Sequence, residues 1–267
     1  MSSSGPQYPV VEPAPDPAAP AAPAAPPVPG PTAPGPLPTA LRALRAVLAG
    51  IWQGDPVTSL RIAAHHSARS LLLWWLVLLA DGVLAGMLVA SFVAKSAQGA
   101  ASVTNSLLDP FTGGYTSSYV DDAFSVPVST LLGVIVTVAL LVVAVLVLRT
   151  VTVFWTFGVR GARGRFRDAA AVVATSASAT PVLLAAAWVL SLIPGAGGAL
   201  LALAVLAVGG LGLAVVSEAL VYIGLNRTVR FTKSPLVPHA SLTVAHVALC
   251  MTLFGIANVV ALASLLG

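Results

Sequence analysis

The chain has 267 residues, 57% of them hydrophobic and only 8% charged, with a formal net charge of +4. A soluble domain carries about 25% charged residues, so water is excluded as the solvent for most of this chain, and its apolar runs are too long for soluble core helices. The basic residues stand in short clusters beside those runs rather than on a polar surface, which argues against a nucleic-acid partner.

Residues 1–38 hold 14 of the 21 prolines, spaced by alanines. Proline removes backbone donors, so neither helix nor sheet is expected, and the segment reads as a disordered, semi-extended cytoplasmic tail. Its first residues show neither a basic flank nor an apolar h-region, so the first span is expected to direct the chain to the membrane.

Residues 39–70 form an interfacial, amphipathic segment. Leu41, Leu44, Leu48 and Ile51 recur at helical spacing with Arg42 and Arg45 between them. Such a stripe is expected to lie in the head-group boundary, the other arrangement being a fold onto the bundle. Asp55 and Pro56 suit the start of a second helix, which carries Arg61, His65, His66 and Arg69 toward the bilayer.

Residues 71–267 are expected to form a bundle of five transmembrane helices, at about 71–94, 128–148, 169–193, 199–225 and 242–266. The first opens with Trp74 and Trp75 and carries Gly82, Gly86 and Ala90, a small-residue stripe that lets another helix approach closely. A long polar outer loop is expected over residues 95–127. The second span is expected to continue as an interfacial stretch through Arg149 and Trp155 into a basic cytoplasmic loop with Arg160, Arg163, Arg165 and Arg167. Pro181 is expected to kink the third span, and residues 194–198 to turn tightly into the fourth.

Orientation follows from the basic residues, which cytoplasmic loops retain. In a five-span layout twelve of the 13 Lys and Arg fall on the starting side and Lys95 alone on the other. The N-terminus is therefore expected inside and the C-terminus outside. The fold class is all-α, a polytopic membrane protein.

Three polar groups within the spans are the best functional candidates, because an ionisable group in hydrocarbon must face the bundle interior or a partner. Asp81 sits about 15 Å into the first span at 1.5 Å per residue, near the midplane. Glu218 in the fourth span and His246 in the fifth share a depth that allows contact. Either these groups line a proton or substrate path, or they are structural. No catalytic motif is present, and the histidines are not spaced as metal ligands. The single cysteine, Cys250, supports no disulfide framework within the chain. No enzyme activity, cofactor or metal is therefore expected.

The stretch 157–194 resembles the Yip family, the Rab/Ypt-interacting five-span proteins and their bacterial relatives. The residues that carry the likeness are Gly161, Gly164, Arg165, Phe166 and Arg167 before the third span, Pro181 within it, and the turn Ile193, Pro194, Gly195. The resemblance implies a non-enzymatic membrane organiser that recruits cytoplasmic proteins through its tail and basic loop, or shapes lipid. Self-association stays open beside that reading, and a transporter or permease component is the alternative. A composition rich in Arg, Ala and Gly points to a bacterial plasma membrane.

Overall fold

The computed structural model describes residues 35–113, 117–231, 233–248 and 252. The expected tail up to residue 34 and most of the expected fifth span lie outside them.

The helices follow from local chemistry. α1 (Pro36–Trp52) begins inside the expected tail, since Pro36 and Pro38 occupy the first turn, where the missing N–H groups have no intrahelical partner to lose. The tail boundary moves back accordingly. Gly54, with φ +75°, reverses the chain, and Asp55 caps α2 (Pro56–Arg69) by accepting from the Thr58 N–H at 3.0 Å. Gly50 lies under this turn, where a Cβ would come within 2.3 Å of Ser59 Oγ.

α3 (Leu72–Thr112) runs far past the expected end of the first span, so most of the expected outer loop is helical. The cause is local: between Lys95 and Asp109 the chain has no proline and is mainly Ala, Ser, Gln, Leu, Val and Thr, which sustain a helix once it is propagating. Gly113 ends it in the left-handed conformation, φ +60°, with its N–H on Asp109 O. A short α4 (Ser117–Ala123) follows. It is tied back to α3 by Asn105 Nδ2 donating to Asp121 Oδ1 at 3.1 Å.

α5 (Val128–Val159) is one helix through the stretch expected to leave the bilayer. The third apolar segment is two helices, α6 (Phe166–Ala177) and α7 (Thr180–Ser191), broken at Ser178 and Ala179 with Pro181 in the first turn of α7. α8 (Gly195–Thr228) and α9 (Leu236–Ala248) complete the described residues, among which there is no strand.

Four of these segments are long and apolar enough to cross a membrane: α3, α5, α6 with α7, and α8. Their exposure identifies the medium. None of the most apolar window of the α5 segment is buried in the protein, and Leu132, Val136 and Leu140 are exposed, as are Val208, Leu211 and Val215 of α8. Apolar surface of that extent is unstable in water and natural in lipid.

Small residues hold the bundle together. A Cβ on Gly82 would lie 2.8 Å from the Ala139 carbonyl oxygen, and one on Gly86 would lie 2.5 Å from that of Ile135, so α3 and α5 touch backbone to backbone. Ala90 is buried on the same helix. Residues Ala169 to Ala174 of α6 are all buried, which makes α6 the central element. Trp74 packs edge-on against Phe166 and donates its indole N–H to Thr150 Oγ1 at 3.1 Å.

α1 packs inward. Val47 joins Ala63 of α2, Leu73, Trp74 and Leu78 of α3, and Ala170, Ala171 and Ala174 of α6 in one buried cluster, with Ala43, Leu44 and Ile51 against it. One of the leucines expected in the head-group boundary, Leu44, and with it Ile51, is therefore turned partly toward protein. Leu37, Leu41 and Trp52 remain exposed.

Candidate functional site

The strongest polar constellation joins α5, α8 and α9. Arg149 is buried in α5 and donates through Nη2 to both carboxylate oxygens of Glu218 on α8, each at 2.5 Å. Its Nη1 donates to Thr243 Oγ1 at 3.1 Å, and the Thr243 hydroxyl donates to Glu218 Oε2 at 3.3 Å. His239 Nε2 stands 3.3 Å from the same oxygen and is itself buried. A guanidinium, a carboxylate, a hydroxyl and an imidazole thus form a closed network, which is how paired charges persist within a bundle.

The sequence allows a contact between Glu218 and His246, and the Glu218 carboxylate does act electrostatically on that imidazole. The partners that its oxygens find are Arg149, Thr243 and His239, while His246 is half-buried further along the same face of α9, since 239, 243 and 246 follow helical spacing. Arg149 is expected in an interfacial stretch that continues the second span, and the structure places it in a buried network instead. It lies within an unbroken helix, and the signal was present: no breaker separates it from the apolar run before it.

Asp81 is 1% exposed, and neither carboxylate oxygen has a hydrogen-bond partner. On its helix it lies between Leu78, which belongs to the cluster containing Ala174 of α6, and Leu88, clustered with Ala187 of α7. It therefore stands at the level where α6 gives way to α7. The hydroxyls there are used locally, Thr175 donating to Ala171 O, Ser176 to Val173 O and Ser178 to Thr175 O. The helix break before Pro181 and the unsatisfied carboxyl are neighbours in depth, with no hydrogen bond between them.

The basic segments converge. Leu60 of α2, Val153 and Phe157 of α5, Ala169 and Val172 of α6, and Val221 and Leu225 of α8 form one cluster, so Arg61, Arg160, Arg163, Arg165, Arg167 and Arg227 gather at one end of the bundle. Arg167 donates to Ala68 O at 2.9 Å, and Asp168 closes the turn by accepting from the Arg165 N–H at 2.7 Å. At the opposite end Lys95 donates to Ile193 O and, at 3.2 Å, to Gly195 O, sealing the turn between α7 and α8.

Two clefts flank α1. One of about 630 Å³ between α1 and α2 is lined by Thr39, Ala43, Arg61, His65, His66 and Arg69 among others. Burial, then the neighbouring His65, hold the His66 imidazole below its ordinary pKa. The other, about 820 Å³ and apolar, lies between the end of α1 and the α7 and α8 helices, against Ala179, Leu183 and Gly209. Asp81 lines neither.

Comparison of the chain with protein-family models, curated proteins and solved structures finds no match.

Proposed function

We propose that this chain is a non-enzymatic organiser of a bacterial plasma membrane. It spans the bilayer five times, with α9 leading into the fifth span, its N-terminus in the cytoplasm and its C-terminus outside. The observation that carries the reading is the gathering of the arginine-bearing segments at one end of the bundle, with Lys95 at the other. Positive charge retained on one side is the signature of a cytoplasmic face. A broad basic surface built on α2, the 160–167 loop and the end of α8 suits anionic lipid and acidic protein partners better than it suits catalysis. The resemblance to the Yip family agrees with this use, and the proline-rich tail adds a second contact surface.

A photo-crosslinking side chain placed at Arg163 in living cells tests the proposal. A defined cytoplasmic adduct is expected, lost when the remaining loop arginines, Arg160, Arg165 and Arg167, are exchanged for Gln. Purified protein in vesicles is expected to pass ions and protons no faster than empty vesicles.

A transporter component is the second reading, favoured by the unpartnered Asp81 carboxyl at the level of a broken helix, an arrangement that ion-coupled carriers use. Proton flux that disappears in Asp81→Asn would establish it over the organiser.

A further inference from the structure

The cleft between α1 and α2 has a chemistry that the bundle does not need. Its walls carry Arg61, His65 and Arg69, which recur at helical spacing along one exposed face of α2, with His66 beside them and no carboxylate in the lining. Among the described residues neither Arg61 nor Arg69 has an acidic partner within ion-pair distance, and His66 Nε2 is buried without a hydrogen-bond partner. Arg149 has been drawn into a complete network, and Arg167 is satisfied by Ala68 O. Arg69 and Arg61, the latter with the Asp55 carboxylate as its electrostatic neighbour beyond ion-pair distance, border about 630 Å³ of space whose remaining walls include Ala43, Ile62 and Pro36.

Depth identifies the class of ligand. The cleft reaches Ser70, one turn before Trp74 and Trp75, and Trp75 is exposed where an aromatic ring marks the interface. Guanidinium groups at that level, with an apolar floor beneath, match a phosphate carried on an apolar body.

We propose that this cleft binds a phosphate group between Arg61 and Arg69, with His65 and His66 as further donors. A lipid head group and a free phosphate share that chemistry, and the experiment separates them. The inference is independent of whether the protein organises or transports.

The test uses the full chain purified in neutral detergent and titrated calorimetrically with three probes: dioctanoyl phosphatidylglycerol, dioctanoyl phosphatidylcholine and inorganic phosphate. Phosphatidylglycerol is expected to bind in preference to phosphatidylcholine, and Arg61→Gln with Arg69→Gln to weaken it roughly 30-fold, about 1 kcal/mol for each charge. Binding of inorganic phosphate with the same loss, and no lipid preference, assigns the site to a soluble phosphate. Because both arginines are exposed, the variant is expected to melt with the wild type. Each single Gln variant should show an intermediate loss, which keeps the test decisive if the double variant folds poorly. Binding of both anionic probes that is unchanged in all three variants, or absent from the wild type, overturns the proposal.

Discussion

Arg149 and Glu218 stand 69 positions apart in the chain, yet the guanidinium of one grips both carboxylate oxygens of the other at 2.5 Å. Arg149 is the buried member, and Glu218 keeps 41% of its side chain exposed. Removing Glu218 therefore strands a buried cation. Glu218→Gln is expected to lower stability by about 3 kcal/mol, the lower end of the cost of breaking a buried pair. Arg149→Met combined with Glu218→Met is expected to cost less than the sum of the two single changes. Unfolding in mixed micelles, followed as a double-mutant cycle, checks this, and strict additivity would show that the two groups are not coupled.

Gly86→Ala is expected to destabilise by about 1 to 3 kcal/mol, because the new Cβ meets the Ile135 backbone, which has no rotamer by which to withdraw. Gly133→Ala on α5, where a Cβ meets nothing within 4 Å, is the matched control. It is expected to be neutral or slightly stabilising through helix propensity. Thermal melts of the two in the same detergent should differ in sign or in size; equal losses would place the close contact elsewhere.

Asp81→Val removes a buried carboxyl that has no partner to abandon. It is expected to raise stability by about 2.5 kcal/mol, the scale on which an acid at that depth is penalised. A lower melting temperature in Asp81→Val would instead reveal a contact that the carboxyl makes in the bilayer.

The His66 imidazole lies outside the spans, and burial holds its pKa below the ordinary imidazole value of about 6.5. Above that value the side chain is neutral in folded and unfolded chains alike, and the fold carries no penalty. As pH falls below it, the unfolded chain takes up the proton first, so stability is lost progressively until the depressed folded pKa has been passed. The melting temperature is expected to drop between pH 7.5 and pH 5, and His66→Gln to drop less. An equal drop in both proteins would assign the effect to other groups.

Much of this architecture was legible from composition and spacing. Long apolar runs announce lipid because hydrocarbon tolerates nothing else. Tryptophans, small-residue stripes and Pro181 mark positions whose local chemistry is the same in any fold. The asymmetry of the arginines needed only counting, and the structure adds that their segments meet at one end of the bundle.

Other features were out of reach, for physical reasons that differ from case to case. Helical periodicity shows that α1 has an apolar face but not whether protein or lipid covers it, since both reward the same residues; in the fold Val47 packs against Ala63 and Trp74 while Leu37, Leu41 and Trp52 stay exposed. The continuation of α3 past Lys95 was hidden because its Ser, Thr and Asn residues look like a loop when only hydropathy is read, whereas a helix already propagating carries through them. Arg149 counted as one more cytoplasmic charge until Glu218, Thr243 and His239 arrived beside it from two other helices. Whether a charge within an apolar segment is tolerable depends on a partner distant along the chain, and local spacing carries no record of that partner. Which residues sit in lipid is thus a property of each segment alone, whereas what compensates a buried charge, and what leaves Asp81 uncompensated, is decided only when the helices come together.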